Sequence, residues 1–354
     1  MGAMLDDPDL RTRVDTSRFW QRIVELPLQA RKASELGRKW EPPQGFMRPR
    51  RIILLGVGGS AIGGDVVATI ASRFSSVPVE VVRDYSAPTA DRETLIIACS
   101  FSGQTEEVLT AFLAQLDGEC MCLALTTGGA LGALALEHNV PLLNYEFDGP
   151  PRTAFGYGVL PLLEVLRRLE VLDLQAEVIE HALLGFGRDA QAWGPEQPTI
   201  SNMAKQIALR LYDRVPVIVG PDVFAVAARR WAGQLAENAK QWAFFEALPE
   251  VNHNLIVVLD RRQQAEKAFR VLLLDGPVIH PRNHSRVELT ATELANAGVD
   301  HEVVPIGAVD PLSAILQACY LGDWVSYYVA LLNGVDPLQT SILDRVKSAM
   351  AKRH

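Results

Sequence analysis

Apolar positions along the first half of the chain come in short continuous runs. Arg51-Ile-Ile-Leu-Leu-Gly-Val57, Val77–Val82, Thr94–Ala98, Glu119–Leu125 and Val140–Asn144 have the pattern of strands buried on both faces. Between most of them, Ile62–Phe74, Thr105–Leu116 and Ala130–Glu137 carry helical spacing. Strands alternating with helices in this way predict a parallel sheet covered on both faces. Helical text then dominates from residue 155 to about 212, broken only at Trp193–Pro198. The alternation resumes at Val215–Gly220. It continues with a long helix predicted over Asp222–Phe245 and strands near Asn254–Leu259 and Val271–Leu274. A helix near Arg286–Asn296 and a strand at His301–Val304 follow. Two helices close the chain, Leu312–Leu332 and Thr340–Lys352.

The first 45 residues are charged, poor in β-branched residues, and end in Glu41-Pro42-Pro43. They read as an N-terminal helix and linker. The predicted organisation is therefore residues 1–45 as helix and linker, 46–195 as a first α/β domain with connecting helices, 196–335 as a second, and 336–354 as a C-terminal helix. No close sequence repeat links the halves, so any duplication is architectural.

Composition narrows the function. The 354 residues suffice for about two domains. The formal charge is −8, from 34 Lys and Arg against 42 Asp and Glu. An overall anion has no bulk attraction for nucleic acid or anionic lipid, so any phosphate must be held by a few placed donors. No apolar run approaches the roughly 18 residues of a membrane span, and Met1–Trp20 is too charged for a secretory leader. Cys99, Cys120, Cys122 and Cys319 form no C-x-x-C pair and read as buried free thiols. A soluble cytoplasmic protein is expected, without metal, membrane or nucleic-acid partner.

Two glycine- and hydroxyl-rich loops carry the candidate chemistry. Gly56-Val-Gly-Gly-Ser-Ala-Ile-Gly-Gly-Asp65 follows a strand and opens a helix, where free N–H groups and the positive helix end suit an anion. Read as G-x-G-x-x-A, it also matches a dinucleotide fingerprint, with Glu80 or Asp84 as the ribose acid. The second loop, Ser100-Phe-Ser-Gly-Gln-Thr105, clusters three hydroxyls at another helix start. Hydroxyls and amides can saturate a phosphate monoester without lysine or arginine. Reading Thr105 as an N-cap and Ser100 and Ser102 as turn residues accounts for one hydroxyl better than for three.

Gly58-Gly-Ser60 together with Ser100-x-Ser-Gly-x-Thr105 resembles the sugar-phosphate cradle of SIS (sugar isomerase) domains. Leu235-Ala-Glu-Asn-Ala-Lys240, followed by Pro249-Glu-Val-Asn-His-Asn254, resembles the signature of bifunctional phosphoglucose/phosphomannose isomerases. Arg152 in Pro150-Pro-Arg-Thr-Ala-Phe155 and the Gly334-Val-Asp-Pro337 turn fit the same family. The resemblance runs from about residue 50 to the C-terminus. It implies two SIS-type three-layer αβα sandwiches with parallel sheets, plus N- and C-terminal helices. It also implies a cofactor-independent aldose–ketose isomerase acting on hexose 6-phosphates.

Such a reaction needs ring opening, then a base that moves a proton between neighbouring carbons through an enediol. A carboxylate can shuttle that proton while cations stabilise the enediolate, with no metal or organic cofactor. The resemblance makes Glu237 the base and Gly59, Ser60, Ser100, Ser102 and Thr105 the phosphate site. Arg152 becomes the cation near the enediolate. His253 becomes the ring-opening group, reaching in from the second subunit of a homodimer; a loop-capping histidine is the plainer alternative. Thr340 and Lys347 are seven residues apart, on one face of a helix. They would face the sugar, the threonine holding a water or hydroxyl and the lysine assisting at the ring oxygen. Leu255 and Gln241-Trp242 depart from the family pattern and bear on loop shape and substrate preference. His280-Pro-Arg-Asn-His284 lacks a carboxylate or thiol at ligand spacing, which argues against a metal there. Two other functions compete: a non-catalytic SIS module that binds a sugar phosphate for regulation, and a nicotinamide-dependent oxidoreductase. No helix-turn-helix or basic arm before residue 45 supports the regulator.

Overall fold

A computed structural model describes residues 2–261, 267–350 and 352–353. Where the sequence predicts one N-terminal helix, four stand: α1 (Gly2–Leu5), α2 (Pro8–Val14), α3 (Phe19–Val24) and α4 (Leu26–Lys39). Asp7 caps α2 through the N–H of Asp9, with Pro8 at its first position. Asp15 accepts from the N–H groups of Phe19 and Trp20 at the start of α3. Then follow β1 (Arg51–Leu55), α5 (Gly59–Phe74), β2 (Val79–Val82), β3 (Thr94–Ser100), α6 (Glu106–Leu113), β4 (Met121–Thr126), α7 (Gly129–Glu137) and β5 (Leu142–Asn144). Three helices lead on, α8 (Phe155–Arg168), α9 (Ala176–Trp193) and α10 (Met203–Leu211). The second alternation is β6 (Val215–Pro221), α11 (Phe224–Ala239), β7 (Phe244–Leu248), β8 (Phe269–Asp275), α12 (Pro281–Ala297) and β9 (His301–Pro305), closed by α13 (Pro311–Leu332) and α14 (Ser341–Met350).

The chain divides into two compact units, each holding one sheet. The first-sheet unit comprises Glu25–Phe186 with Pro311–Ser313. Its five strands are parallel in the order β2-β1-β3-β4-β5. Every residue of β3 is buried, as a central strand covered on both faces requires. Ile53, Leu55, Ile96, Ala98, Phe112, Ala124 and Leu131 form one core cluster there. Gly63 lets α5 cross α8 at backbone distance, since a Cβ there would lie 2.3 Å from the Gly158 carbonyl oxygen.

The second-sheet unit comprises residues 1–24, Gly187–Asp310 and Ala314–His354. Its strands are also parallel, in the order β7-β6-β8-β9. Within this unit α13 is apolar nearly all round, and Leu316, Tyr320, Trp324, Tyr327 and Tyr328 are buried, the mark of a central helix. Arg230 on α11 donates to Asp323 on α13 at 2.8 and 2.9 Å, and Gln234 donates to the same carboxylate at 2.5 Å. Lys205 is wholly buried, its ammonium held by Asp6 and the Pro195 carbonyl, both at 2.9 Å. Helices α1 to α3 are therefore part of this unit, and α4 belongs to the other.

Two elements of the second-sheet unit also differ from expectation. The helix predicted to Phe245 stops at Ala239, because Lys240 turns into the left-handed region (φ 54°). The aromatic run after it pairs with β6 as an edge strand, Val217 opposite Phe244 through Pro221 opposite Leu248. The apolar run Leu255–Asp260, predicted as a strand, is a 3-10 helix. It walls an apolar cavity of about 310 Å³ with Val219, Val271 and Leu294.

Candidate active site

In the first-sheet unit the strand order reverses direction at β1 and β3, so the loops leaving their C-terminal ends flank the topological switch point where open α/β sheets bind ligands. These are the loops that carry Gly59–Ser60 and Ser100–Thr105. The N-cap of α5 is Gly58 (φ 58°), which has no side chain to offer the first amides of the helix. Thr105 occupies the N-cap position of α6 yet makes no side-chain cap bond. Its hydroxyl lies instead 2.8 Å from that of Ser100, which is almost wholly buried. Ser102 is exposed, and its Oγ accepts from the Gln104 N–H at 3.2 Å.

The loop is braced from below. Gly103 has φ +63°, and a Cβ on it would sit 1.9 Å from the Gly128 carbonyl oxygen. Thr127 donates to the Phe101 carbonyl at 2.7 Å, and the Leu131 N–H reaches the Gly103 carbonyl at 2.9 Å. The turn after β4 is thus the platform of the hydroxyl loop.

Arg152 stands on a 3-10 turn, Pro151–Thr153, leading into α8, and is only 5% exposed. A surface helix-start residue would not be buried in this way. The turn abuts the first loop: a Cβ on Gly59 would meet the Pro151 carbonyl oxygen at 3.2 Å and the Arg152 backbone nitrogen at 3.5 Å. Buried Gln29 on α4 pins the same turn. Its amide donates to the Thr153 carbonyl at 2.7 Å and accepts from the Gly156 N–H at 2.8 Å. Nothing in the sequence signals this role, because a glutamine in a charged segment looks like solvated surface. The structure sets Gly59 against the backbone of the Pro151–Arg152 turn, and Ser100, Ser102 and Thr105 on the neighbouring strand's loop.

Asp65, closing the glycine-rich motif, is bound by Arg83. Glu80, the candidate ribose acid, lies within β2 opposite Ile53 and is bound by Arg51 at 2.6 Å. Asp84 accepts from the Tyr85 N–H at 2.7 Å. All three carboxylates have local work, which weakens the dinucleotide reading.

In the second-sheet unit Glu237 is half-buried in the last turn of α11. Its neighbours fix that turn. Asn238, fully buried, donates to Ser326 Oγ at 3.0 Å. Lys240 Nζ reaches the Glu237 carbonyl at 3.0 Å and the Asp336 carbonyl at 2.8 Å. The lysine therefore joins the C-terminal end of α11, where helix carbonyls favour a cation, to the Gly334–Pro337 turn. Asp336 in turn accepts from Thr16 at 2.8 Å and Ser17 at 3.2 Å. Thr340 borders an open groove of about 800 Å³ whose wall includes Lys240, Asp336 and Gln339. It precedes α14, which begins at Ser341, so Thr340 is not on the final helix as predicted. Lys347 is exposed on that helix.

His253 ends a 3-10 turn, Glu250–His253, beyond β7. Val251 is buried below it. Asn252 donates to Thr290 at 2.8 Å and accepts from Arg286 at 3.2 Å, clamping the loop to α12. The imidazole itself is exposed and, among the described residues, makes no side-chain hydrogen bond. A loop-capping role is thus not what holds it. Topology also separates it from Glu237. In a parallel β-α-β unit the helix ends where the next strand begins, so Glu237 lies toward the N-terminal end of β7 and His253 beyond its C-terminal end. The five residues of β7 span about 16 Å between them.

The second sheet has its own switch point, at the ends of β6 and β8, and it is built differently. Asp222 and Asp275 stand there, Asp222 accepting from the His280 N–H at 3.3 Å and Asp275 pairing with His284 at 2.8 Å. His280 Nδ1 accepts from the Arg282 N–H as the cap of α12. The two histidines serve different partners, and among the described residues no group of three His, Cys, Asp or Glu is placed to hold a metal. This switch point therefore presents carboxylates where the first presents hydroxyls and helix amides.

Residues 200–350 match the family of the bacterial phospho-glucose isomerase C-terminal SIS domain. The chain is 32% identical over 338 residues to the bifunctional phosphoglucose/phosphomannose isomerase of Caldicellulosiruptor bescii, covering 94% of this chain and 99% of that protein. It is 28% identical to the enzyme of the same name from Aquifex aeolicus, covering 89% and 95% respectively. The crystal structure of a hypothetical protein from Thermus thermophilus superposes with a TM-score of 0.77 at 17% identity, covering 99% of this chain and 95% of its own, a likeness of fold. The two parallel-sheet α/β units accordingly have the architecture of SIS phosphosugar isomerases. With 32% identity across nearly the full length of both proteins, the chain belongs to the bifunctional phosphoglucose/phosphomannose isomerase family.

Proposed function

We propose that the protein interconverts glucose 6-phosphate and mannose 6-phosphate with fructose 6-phosphate by proton transfer through a cis-enediol. The observation that carries this reading is the hydroxyl loop at the first switch point, where Thr105 leaves its helix uncapped and turns to Ser100. Gly59, Ser60, Ser100, Ser102 and Thr105 take the phosphate with amides and hydroxyls, which suits an anionic ligand on an anionic protein.

Glu237 removes the proton at C2 and returns it to C1 of the same face, the step for which a positioned carboxylate contributes on the order of 10²–10⁴ in rate. Arg152, a buried guanidinium whose turn is locked by Gln29, stabilises the enediolate, since a charge in a water-poor site acts strongly on developing charge. His253 transfers the proton that opens the ring, with Lys347 assisting at the ring oxygen and Thr340 holding a water or hydroxyl. Accepting both C2 epimers requires rotation about C2–C3 in the bound intermediate. A carboxylate base and cationic stabilisers suffice for this chemistry, so no metal or cofactor enters the scheme.

The separation of Glu237 and His253 along the second sheet supports a homodimer in which His253 serves the site of the other copy. The regulatory alternative, a sugar-phosphate sensor without catalysis, gains nothing from the structure. A coupled assay with each aldose 6-phosphate, run with and without EDTA, decides the matter. Turnover of both, insensitive to EDTA, is expected. Binding of fructose 6-phosphate without turnover of either aldose would move the protein to the regulatory class.

A further inference from the structure

Two cysteines that isomerisation does not use stand side by side. Cys120 and Cys122 are half-buried, unlike the buried Cys99 and Cys319, and their sulfurs are 3.8 Å apart. We propose that Cys120 and Cys122 form a modification site: a dithiol that reacts with low-molecular-mass disulfides and closes to a reversible intrachain disulfide.

The geometry allows the bond. Two residues of extended chain set Cα atoms about 6.8 Å apart at most, the upper end of the range a disulfide accepts. Cys120 lies in the bend before β4, not in the strand, which shortens that span. The sulfurs have only to close from contact to bonding distance. The surroundings can yield, because β5 starts pairing with β4 at Ala124, leaving Cys122 bound to a strand on the β3 side alone.

The two thiols are unequal. The hydrogen bond from Cys122 pulls the Cys120 thiol down to about 7, against the opposing effect of burial. The same pairing, with burial, pushes Cys122 up. Burial alone pushes Cys99 up to about 12, and burial, the largest of several effects, pushes Cys319 up to about 12. Cys120 is therefore the attacking thiolate and Cys122 the resolving thiol, while the buried pair stays inert.

The chemistry balances as two exchanges. The Cys120 thiolate attacks one sulfur of the small disulfide; that S–S bond breaks, its electron pair leaves with the first small thiolate, and a mixed disulfide forms on Cys120. Cys122 gives its proton to solvent and attacks Cys120 Sγ. The mixed bond breaks and the second small thiolate departs. The protein loses two electrons and two protons, and the small disulfide becomes two thiols.

The test uses the full chain and oxidised glutathione as probe. After exposure, free thiols are alkylated under denaturing, non-reducing conditions and the peptides mapped by mass. The peptide holding Cys120 and Cys122 should be unalkylated and two hydrogens lighter, and dithiothreitol should restore it. Cys99 and Cys319 should remain alkylatable. Cys122→Ser should trap a stable glutathione adduct on Cys120, and Cys120→Ser should slow modification at least tenfold. Full alkylation of both cysteines in the exposed wild type, a lasting adduct on it, or unchanged reactivity in Cys120→Ser would each overturn the proposal.

Discussion

Thr105 shows most clearly what single residues contribute, because its hydroxyl could cap α6 and does not. Ser100 and Thr105 satisfy one another in a nearly buried pair, whereas Ser102 stands in solvent. The three hydroxyls should therefore respond differently to removal. Ser102→Ala is expected to raise KM for fructose 6-phosphate about 10-fold or more, as loss of a hydrogen bond to a charged group implies, while leaving the melting temperature unchanged. Thr105→Val should raise KM similarly and also destabilise the fold by about 1–3 kcal/mol, since it orphans the Ser100 hydroxyl. Steady-state kinetics with thermal melts separates the two. Residue types and spacing make this loop legible in the sequence. Arg152 and Lys240 are legible there only as motif members; the burial of one and the carbonyl partners of the other belong to tertiary structure.

Elements with strong local period follow the sequence closely, and the exceptions have physical causes. The alternation of buried runs and helices identifies both parallel sheets, because a strand covered on both faces leaves an unbroken apolar run. The end of α11 escapes this logic. Gln241-Trp-Ala continues a helical texture, and the stop is a non-glycine residue in the left-handed region, held by the distant Asp336 carbonyl. Leu255–Leu259 escapes it too, since a short apolar run has no period that separates strand from helix, and here it covers an apolar cavity. The N-terminal segment does read as helical, but the role of Gln29 on α4 escapes the sequence, because a glutamine in a charged segment gives no sign that it locks the Arg152 turn. Gln29→Ala should leave the Thr153 carbonyl and Gly156 N–H unpaired, cost about 1–3 kcal/mol in urea unfolding, and lower kcat more than it raises KM. A change confined to KM would show that the turn does not act on the reacting carbons.

At the scale of the molecule, a net charge of −8 is compatible with an anionic substrate because the binding groups are local. Of the two switch points, one is lined with hydroxyls and helix amides and the other with Asp222 and Asp275. The opposite placement of Glu237 and His253 along β7 gives the assembly a testable signature. Glu237→Gln and His253→Ala should each be nearly inactive alone. Mixed and allowed to exchange subunits, they should recover about a quarter of wild-type activity, because half the dimers in a statistical mixture carry one intact site of two. Failure to recover any activity, with subunit exchange verified by mass, would place both groups in one chain's site. Glu237 is the group proposed to carry the proton, and turnover in deuterium oxide followed by NMR reads that transfer at the carbon itself. The wild type should convert fructose 6-phosphate to both aldose phosphates with solvent deuterium entering at C2. Glu237→Gln should lose conversion and deuterium entry by about 100-fold or more while still binding fructose 6-phosphate. Near-normal deuterium entry and turnover in Glu237→Gln would contradict the account.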